Sequence, residues 1–177
     1  MQSKLVFSLL IAFITGSQAF IPPANLPDGG YLVSTDAAGE SHITALGNST
    51  TIINKPPKIS SIRSKRQLPS PSEGCTNNDL DSAYPSAQSQ LGAWCDSGNQ
   101  VPPKHKVFFK SGNSVAYICC YGGWNPCSSG EFNTADALTN GECQDWRTGW
   151  VWISDRAKTY GREKNLVPFC GNGGLSG

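Results

Sequence analysis

Apolar residues along this chain form one unbroken block at the start, a sparse middle and periodic patterns thereafter. The block runs for 11 residues from Leu5 to Thr15, preceded by Lys4 and followed by small residues at Ser17 and Ala19. That order predicts a cleaved secretory signal over residues 1–19, with Ser17 and Ala19 at the −3 and −1 positions. A membrane span needs about 20 apolar residues, so the block is too short to serve as an anchor. In the middle, Tyr31 to Ser34 and Ser41 to Leu46 read as two short strands around Thr35 to Glu40.

Further on, Leu80, Ala83, Tyr84, Ala87, Leu91, Trp94 and Cys95 recur at helical spacing behind potential caps at Asn77 to Asp79. Pro85 restricts the helix to Pro85–Cys95, with proline in its first turn. Val107 to Lys110 and Val115 to Tyr121 flank Ser111 to Ser114, a hairpin whose turn carries Gly112. Ser128 to Glu131 has the spacing of a capping box, and Phe132, Ala135 and Leu138 lie along one side of the helix it opens. Gly149 to Ser154 alternates Trp150 and Trp152 with Val151 and Ile153 and finds a hairpin mate in Lys158 to Glu163. Leu166 to Cys170 closes the core. The resulting order, α-β-β-α-β-β, predicts an α+β sandwich, an antiparallel sheet with two helices on one side.

Composition divides the chain at Arg63-Ser64-Lys65-Arg66. All seven cysteines and all five tryptophans lie beyond it. This tetrapeptide is a dibasic site for a kexin- or furin-type protease, and cleavage after Arg66 leaves Gln67 as the new N-terminus. Residues 20–66 are then a propeptide, rich in proline and poor in apolar side chains, expected to be mostly disordered on its own. It is either a simple linker or a folding or silencing segment for the cysteine domain. Asn48, in Asn48-Ser49-Thr50, is its glycosylation acceptor. Residues 67–170 form the mature domain and residues 171–177 a disordered tail. From Gln67 onward, eight basic side chains face ten acidic ones, a net charge of −2. With no basic stripe, nucleic acid is not an expected partner, nor is stable membrane insertion.

Cys75, Cys95, Cys119, Cys120, Cys127, Cys143 and Cys170 read as a disulfide framework with one thiol left over. Cys119 and Cys120, adjacent on a strand, must point to opposite faces, and one of them is expected to be the odd one. Cys127 with Cys143, across one helix, is the expected pair. No paired CxxC units occur and the domain has one histidine, His105, so metal is not expected. Glu131, Asp136, Glu142, Asp145 and Asp155 offer carboxylates, but no catalytic or cofactor motif surrounds them. The domain is therefore read as a binding protein and not an enzyme, with no cofactor. Trp94 reads as core, whereas Trp124, Trp150 and Trp152 are candidate stacking surfaces.

The segment from Val115 to Cys127, with the helix after it and the Gly149 to Ile153 strand, resembles the strand–helix–strand cores of small cysteine-rich secreted fungal proteins. Many of these carry a signal and a dibasic-cleaved propeptide, and act as effectors on a host or as killer-type toxins on competing microbes. The resemblance implies an extracellular, virulence-type protein that binds a host or microbial protein or glycan. The alternatives are a carbohydrate- or cell-wall-binding protein using exposed tryptophans, and a small secreted hydrolase.

Overall fold

The computed structural model describes residues 19–47 and 68–171. The apolar leader, Asn48, the tetrapeptide Arg63 to Arg66 with Gln67, and the glycine-rich tail lie outside the described residues. Within them, no helix is long and apolar enough to cross a membrane.

The elements in chain order are β1 (Gly29–Thr35), β2 (Ser41–Ala45), β3 (Pro71–Asp79), α1 (Tyr84–Asp96), β4 (Gln100–Val101), β5 (Lys106–Ser111), β6 (Ser114–Cys120), β7 (Asn125–Pro126), α2 (Ser129–Cys143), β8 (Arg147–Ile153) and β9 (Lys158–Lys164), with a 3₁₀ turn at Ser154–Arg156. Among the described residues, seven strands form one sheet in the order β2-β1-β5-β6-β9-β8-β3. Every pairing in it is antiparallel. The fold is thus α+β, and the expected α-β-β-α-β-β order runs through it from α1 to β9, with the short β4 and β7 pairing separately.

Both helices lie on one face. Tyr84, Ala87, Leu91 and Trp94 of α1, with Phe132 and Ala135 of α2, share a cluster with Val107, Phe109, Ala116, Ile118, Val151, Ile153 and Tyr160 from the strands. α1 carries proline in its first turn as expected. Asn77 to Asp79 do not cap it: they end β3, and Asp81 accepts from the Ala83 N–H instead. The β5–β6 hairpin closes through Gly112 at a φ of 56°, which a two-residue turn requires and glycine reaches without strain.

The expected β1–β2 hairpin is present with Tyr31 opposite Ala45 and Thr35 opposite Ser41. It does not stand alone. β1 adds to the edge of β5 over five residues, from Gly29↔Lys110 to Val33↔Lys106. Phe20 joins Phe169 by two backbone hydrogen bonds of 2.8 and 3.0 Å. The expectation of a mostly disordered propeptide therefore does not extend to residues 20–47. Too few apolar groups to fold alone suffice once a preformed sheet edge offers both hydrogen bonds and aromatic neighbours.

Three disulfides join Cys75 to Cys143, Cys95 to Cys127 and Cys119 to Cys170. Cys120 is the free thiol and is buried. Cys127 does not pair with Cys143. The 15 residues of α2 separate them, and at ~1.5 Å per residue that places its ends about 22 Å apart, several times the Cα separation a disulfide spans. Cys119 belongs to the cluster on the sheet face away from the helices and Cys120 to the helix-side cluster, as alternation along β6 requires.

Candidate functional site

The sheet face away from the helices has two halves. Over β1, β5 and β6 it is closed by Phe20, Phe169 and the Cys119–Cys170 bridge, packed on Tyr31, Val33, Phe108, Val115 and Tyr117. Over β9, β8 and β3 the outward positions are of a different kind. Alternation along β9 sends Tyr160 and Arg162 toward the helices, where Arg162 donates to Asp136 of α2. Thr159, Gly161 and Glu163 consequently face the other way.

Gly161 lies in a row that crosses four strands in register: Tyr117 on β6, Gly161 on β9, Trp150 on β8 and Gly74 on β3. A Cβ on Gly161 would sit 2.3 Å from the Tyr117 ring, and one on Gly74 2.3 Å from the Trp150 ring. The glycines are what let both rings lie down across neighbouring strands. Tyr117 is held there by stacking on Phe169 at 4.5 Å between centroids.

Between these rings is a cavity of about 210 Å³, walled by Tyr117, Tyr121, Trp150 and the Pro168–Gly171 segment, with Thr76, Thr159 and Glu163 supplying polar groups. Glu163 is only 1% exposed. Its carboxylate accepts from the Thr76 hydroxyl, from Asn78 Nδ2 at 3.1 Å and from the Lys164 N–H at 2.9 Å. Among the described residues it forms no ion pair. Burial first, and then the Glu163 charge, hold the Tyr117 phenol well above its ordinary pKa. Burial raises Tyr121 as well, with Thr159 partly opposing. The lining thus presents neutral phenols as donors, a carboxylate as acceptor and an indole for stacking. Tyr121 also meets Trp152 edge-on at 5.4 Å, which extends the aromatic surface along β8.

A second, open depression of about 490 Å³ lies at the other end of β9, lined by Trp124, Asn125, Asp155 and Arg156 among others. Trp124 is 42% exposed there. A buried charge cluster lies alongside it. Lys158 is 0% exposed, and its ammonium donates to Glu131 at 3.0 Å, to the Pro126 carbonyl at 2.8 Å and to the Tyr160 hydroxyl at 3.1 Å. Arg156 pairs with the same Glu131 oxygen. Burial lowers the Lys158 pKa to about 8 against the opposing pull of Glu131. The expected capping box is therefore half made: Ser128 Oγ accepts from the Glu131 N–H at 3.1 Å, but the glutamate side chain is committed to the two cations. Cys120 stands opposite Lys158 in register, its sulfur accepting from Asn125 Nδ2 at 3.0 Å and donating to the Gly123 carbonyl at 2.9 Å.

Of the candidate binding rings, Trp150 and Trp152 are half-buried on the open face, while Trp124 lines the second depression. The three do not line one cavity. Trp94 is core, as its helical position implies. Among the other carboxylates, Asp136 is taken up by Tyr84 and Arg162, Glu142 and Asp145 are exposed, and Asp155 borders the second depression. His105 is half-buried with Nδ1 2.7 Å from the Pro103 carbonyl oxygen, and it lines neither cavity. Ala19, the residue before the expected signal cleavage, is exposed and lies against Gly171.

Glu163, Tyr117, Tyr121 and Gly161 are the site residues that sequence reasoning passes over. Their signal is the Thr159-x-Gly161-x-Glu163 alternation, in which a strand face carries no aliphatic residue at all. Comparison with protein-family models, curated proteins and solved structures finds no match.

Proposed function

We propose that this is a secreted, disulfide-rich protein of effector or toxin type, matured by dibasic cleavage after Arg66 and acting by binding a target on a host or competing microbe. Its framework of three disulfides fits an extracellular location. The binding surface is the open half of the sheet face, and the observation that carries this assignment is the Tyr117–Gly161–Trp150 row beside the buried Glu163.

That chemistry favours a carbohydrate as the target class. The C–H face of a sugar ring packs on an indole, and its hydroxyls exchange hydrogen bonds with a carboxylate, phenols and threonines. Trp152 and Tyr121 continue the aromatic surface beyond one ring, which suits an oligosaccharide better than a single sugar. The test is titration of the secreted protein with cell-wall oligosaccharides, read by tryptophan fluorescence and calorimetry, beside a Trp150→Ala variant. Saturable binding weakened at least tenfold by the substitution is expected. Binding that Trp150→Ala leaves unchanged, or no binding to any wall or surface glycan, would overturn the assignment.

A further inference from the structure

We propose that residues 20–47 remain bound to the cysteine domain after the chain is cut between Gly47 and Leu68, so that the matured protein is a noncovalent pair of chains. This rests on the processing reading above and goes beyond it, because a propeptide is ordinarily released. Here it is part of the sheet.

The contacts are those of a core and not of a cover. Phe20, Tyr31, Val33 and Leu46 are all buried. Phe20 packs between Phe108 and Phe169 at 5.6 and 5.5 Å, and Tyr31 stacks on Phe108 at 5.1 Å. Phe108 is fully buried, and both Phe20 and Tyr31 come from the segment that cleavage would detach. Asp28 accepts from the Lys110 ammonium at 2.6 Å and from the Gly112 N–H at 3.0 Å, so its loss would leave a nearly buried cation without that carboxylate. Losing β1 would also strip five residues of β5 of their ladder partners and present a bare edge to other chains.

The attachment differs from that of a disulfide-linked two-chain protein. No cysteine lies in residues 20–66, and all three bridges fall within the domain. Strand pairing, packing and the Asp28 contacts, all noncovalent, must hold the pair together, and denaturant without reductant is enough to part them.

The experiment starts from the secreted full-length chain treated with a kexin-type protease and examined by native mass spectrometry and size exclusion. The expected result is a 1:1 complex of residues 20–66 and 67–177 that separates in urea without reductant. A second arm carries Gly30→Val. A Cβ at position 30 would meet the Phe109 ring at 2.3 Å, so this substitution lifts β1 from β5 without altering the domain's own residues. The cut variant is expected to lose its peptide at least tenfold more readily than the parent. A cut parent whose 67–177 chain elutes alone as a folded monomer overturns the retention, and so does a variant that holds its peptide as firmly as the parent. A chain the protease leaves whole removes the processing reading, and the proposal with it.

Discussion

Replacing Glu131 by glutamine tests the buried charge cluster most directly, because it removes a charge while keeping the shape. Lys158 is fully buried and its folded pKa of about 8 lies below its ordinary 10.5. The unfolded chain therefore holds more protons than the folded one between roughly pH 8 and 10.5, and stability should rise with pH across that window. Removing a buried partner usually costs about 3–5 kcal/mol. Lys158 has a way to avoid most of that cost. It sits about one unit above neutrality, and releasing its proton at pH 7 costs about 1–2 kcal/mol, which caps the Lys158 share of the loss. Arg156 is partly solvated and should add about 1 kcal/mol more. The expected penalty of Glu131→Gln is thus about 2–3 kcal/mol at pH 7. It should shrink to about 1 kcal/mol at pH 9, where Lys158 in the parent has itself mostly lost its charge. Urea unfolding followed by tryptophan fluorescence at both pH values, in a Cys120→Ala background that prevents thiol exchange, measures this. A penalty that stays constant or grows from pH 7 to 9 would refute the assignment of Lys158 as the responding group.

Cys120 should resist alkylation in the native protein and take up one equivalent of reagent in denaturant without reductant, whereas two or more equivalents would contradict the three bridges. Gly161→Val should force the Tyr117 ring off its neighbour and cost about 1–3 kcal/mol in denaturant unfolding, while weakening oligosaccharide binding at least as much as Trp150→Ala. Removing Cys75–Cys143, whose partners are 68 residues apart, should cost about 4 kcal/mol by the loop-entropy relation and increase hydrogen exchange first in β3.

The strands that could be read from sequence are those where one face is core and alternation is visible, as in Val115 to Tyr121 and Gly149 to Ser154. Pro71–Asp79 could not be read that way. It is polar on both faces, and its place at the sheet edge is set by a bridge to Cys143 and by Gly74 lying under Trp150, both long-range facts. The glutamate half of the capping-box expectation fails for the same reason, while Ser128 caps the helix as expected. Local spacing supports the box, but two cations brought in by the β8–β9 connection compete for the carboxylate and win by charge. Residues 20–47 illustrate the converse case, a hairpin legible as local pattern whose stability depends on the distant edge of β5.

The open half of the sheet face is the strongest argument that the molecule binds something there. An antiparallel sheet with one helical layer can leave its second face to water, in which case polar residues should alternate with the core set. On the closed half the second face instead carries Tyr31, Val33, Phe108, Val115 and Tyr117, and Phe20, Phe169 and Cys170 pack over them. On the other half Thr148, Thr159, Gly161 and Glu163 replace such residues, yet Trp150 and Trp152 interrupt them. An ordinary solvated face has no need of indoles, and a core has no use for a buried carboxylate without a cation. Glu163 bears a desolvation cost that a glutamine or threonine would avoid, and Gly161 leaves its place on that face to the Tyr117 ring. The Glu163 cost falls beside the cavity, where the proposed ligand would find its acceptor, and Gly161 makes room for the Tyr117 ring that walls it.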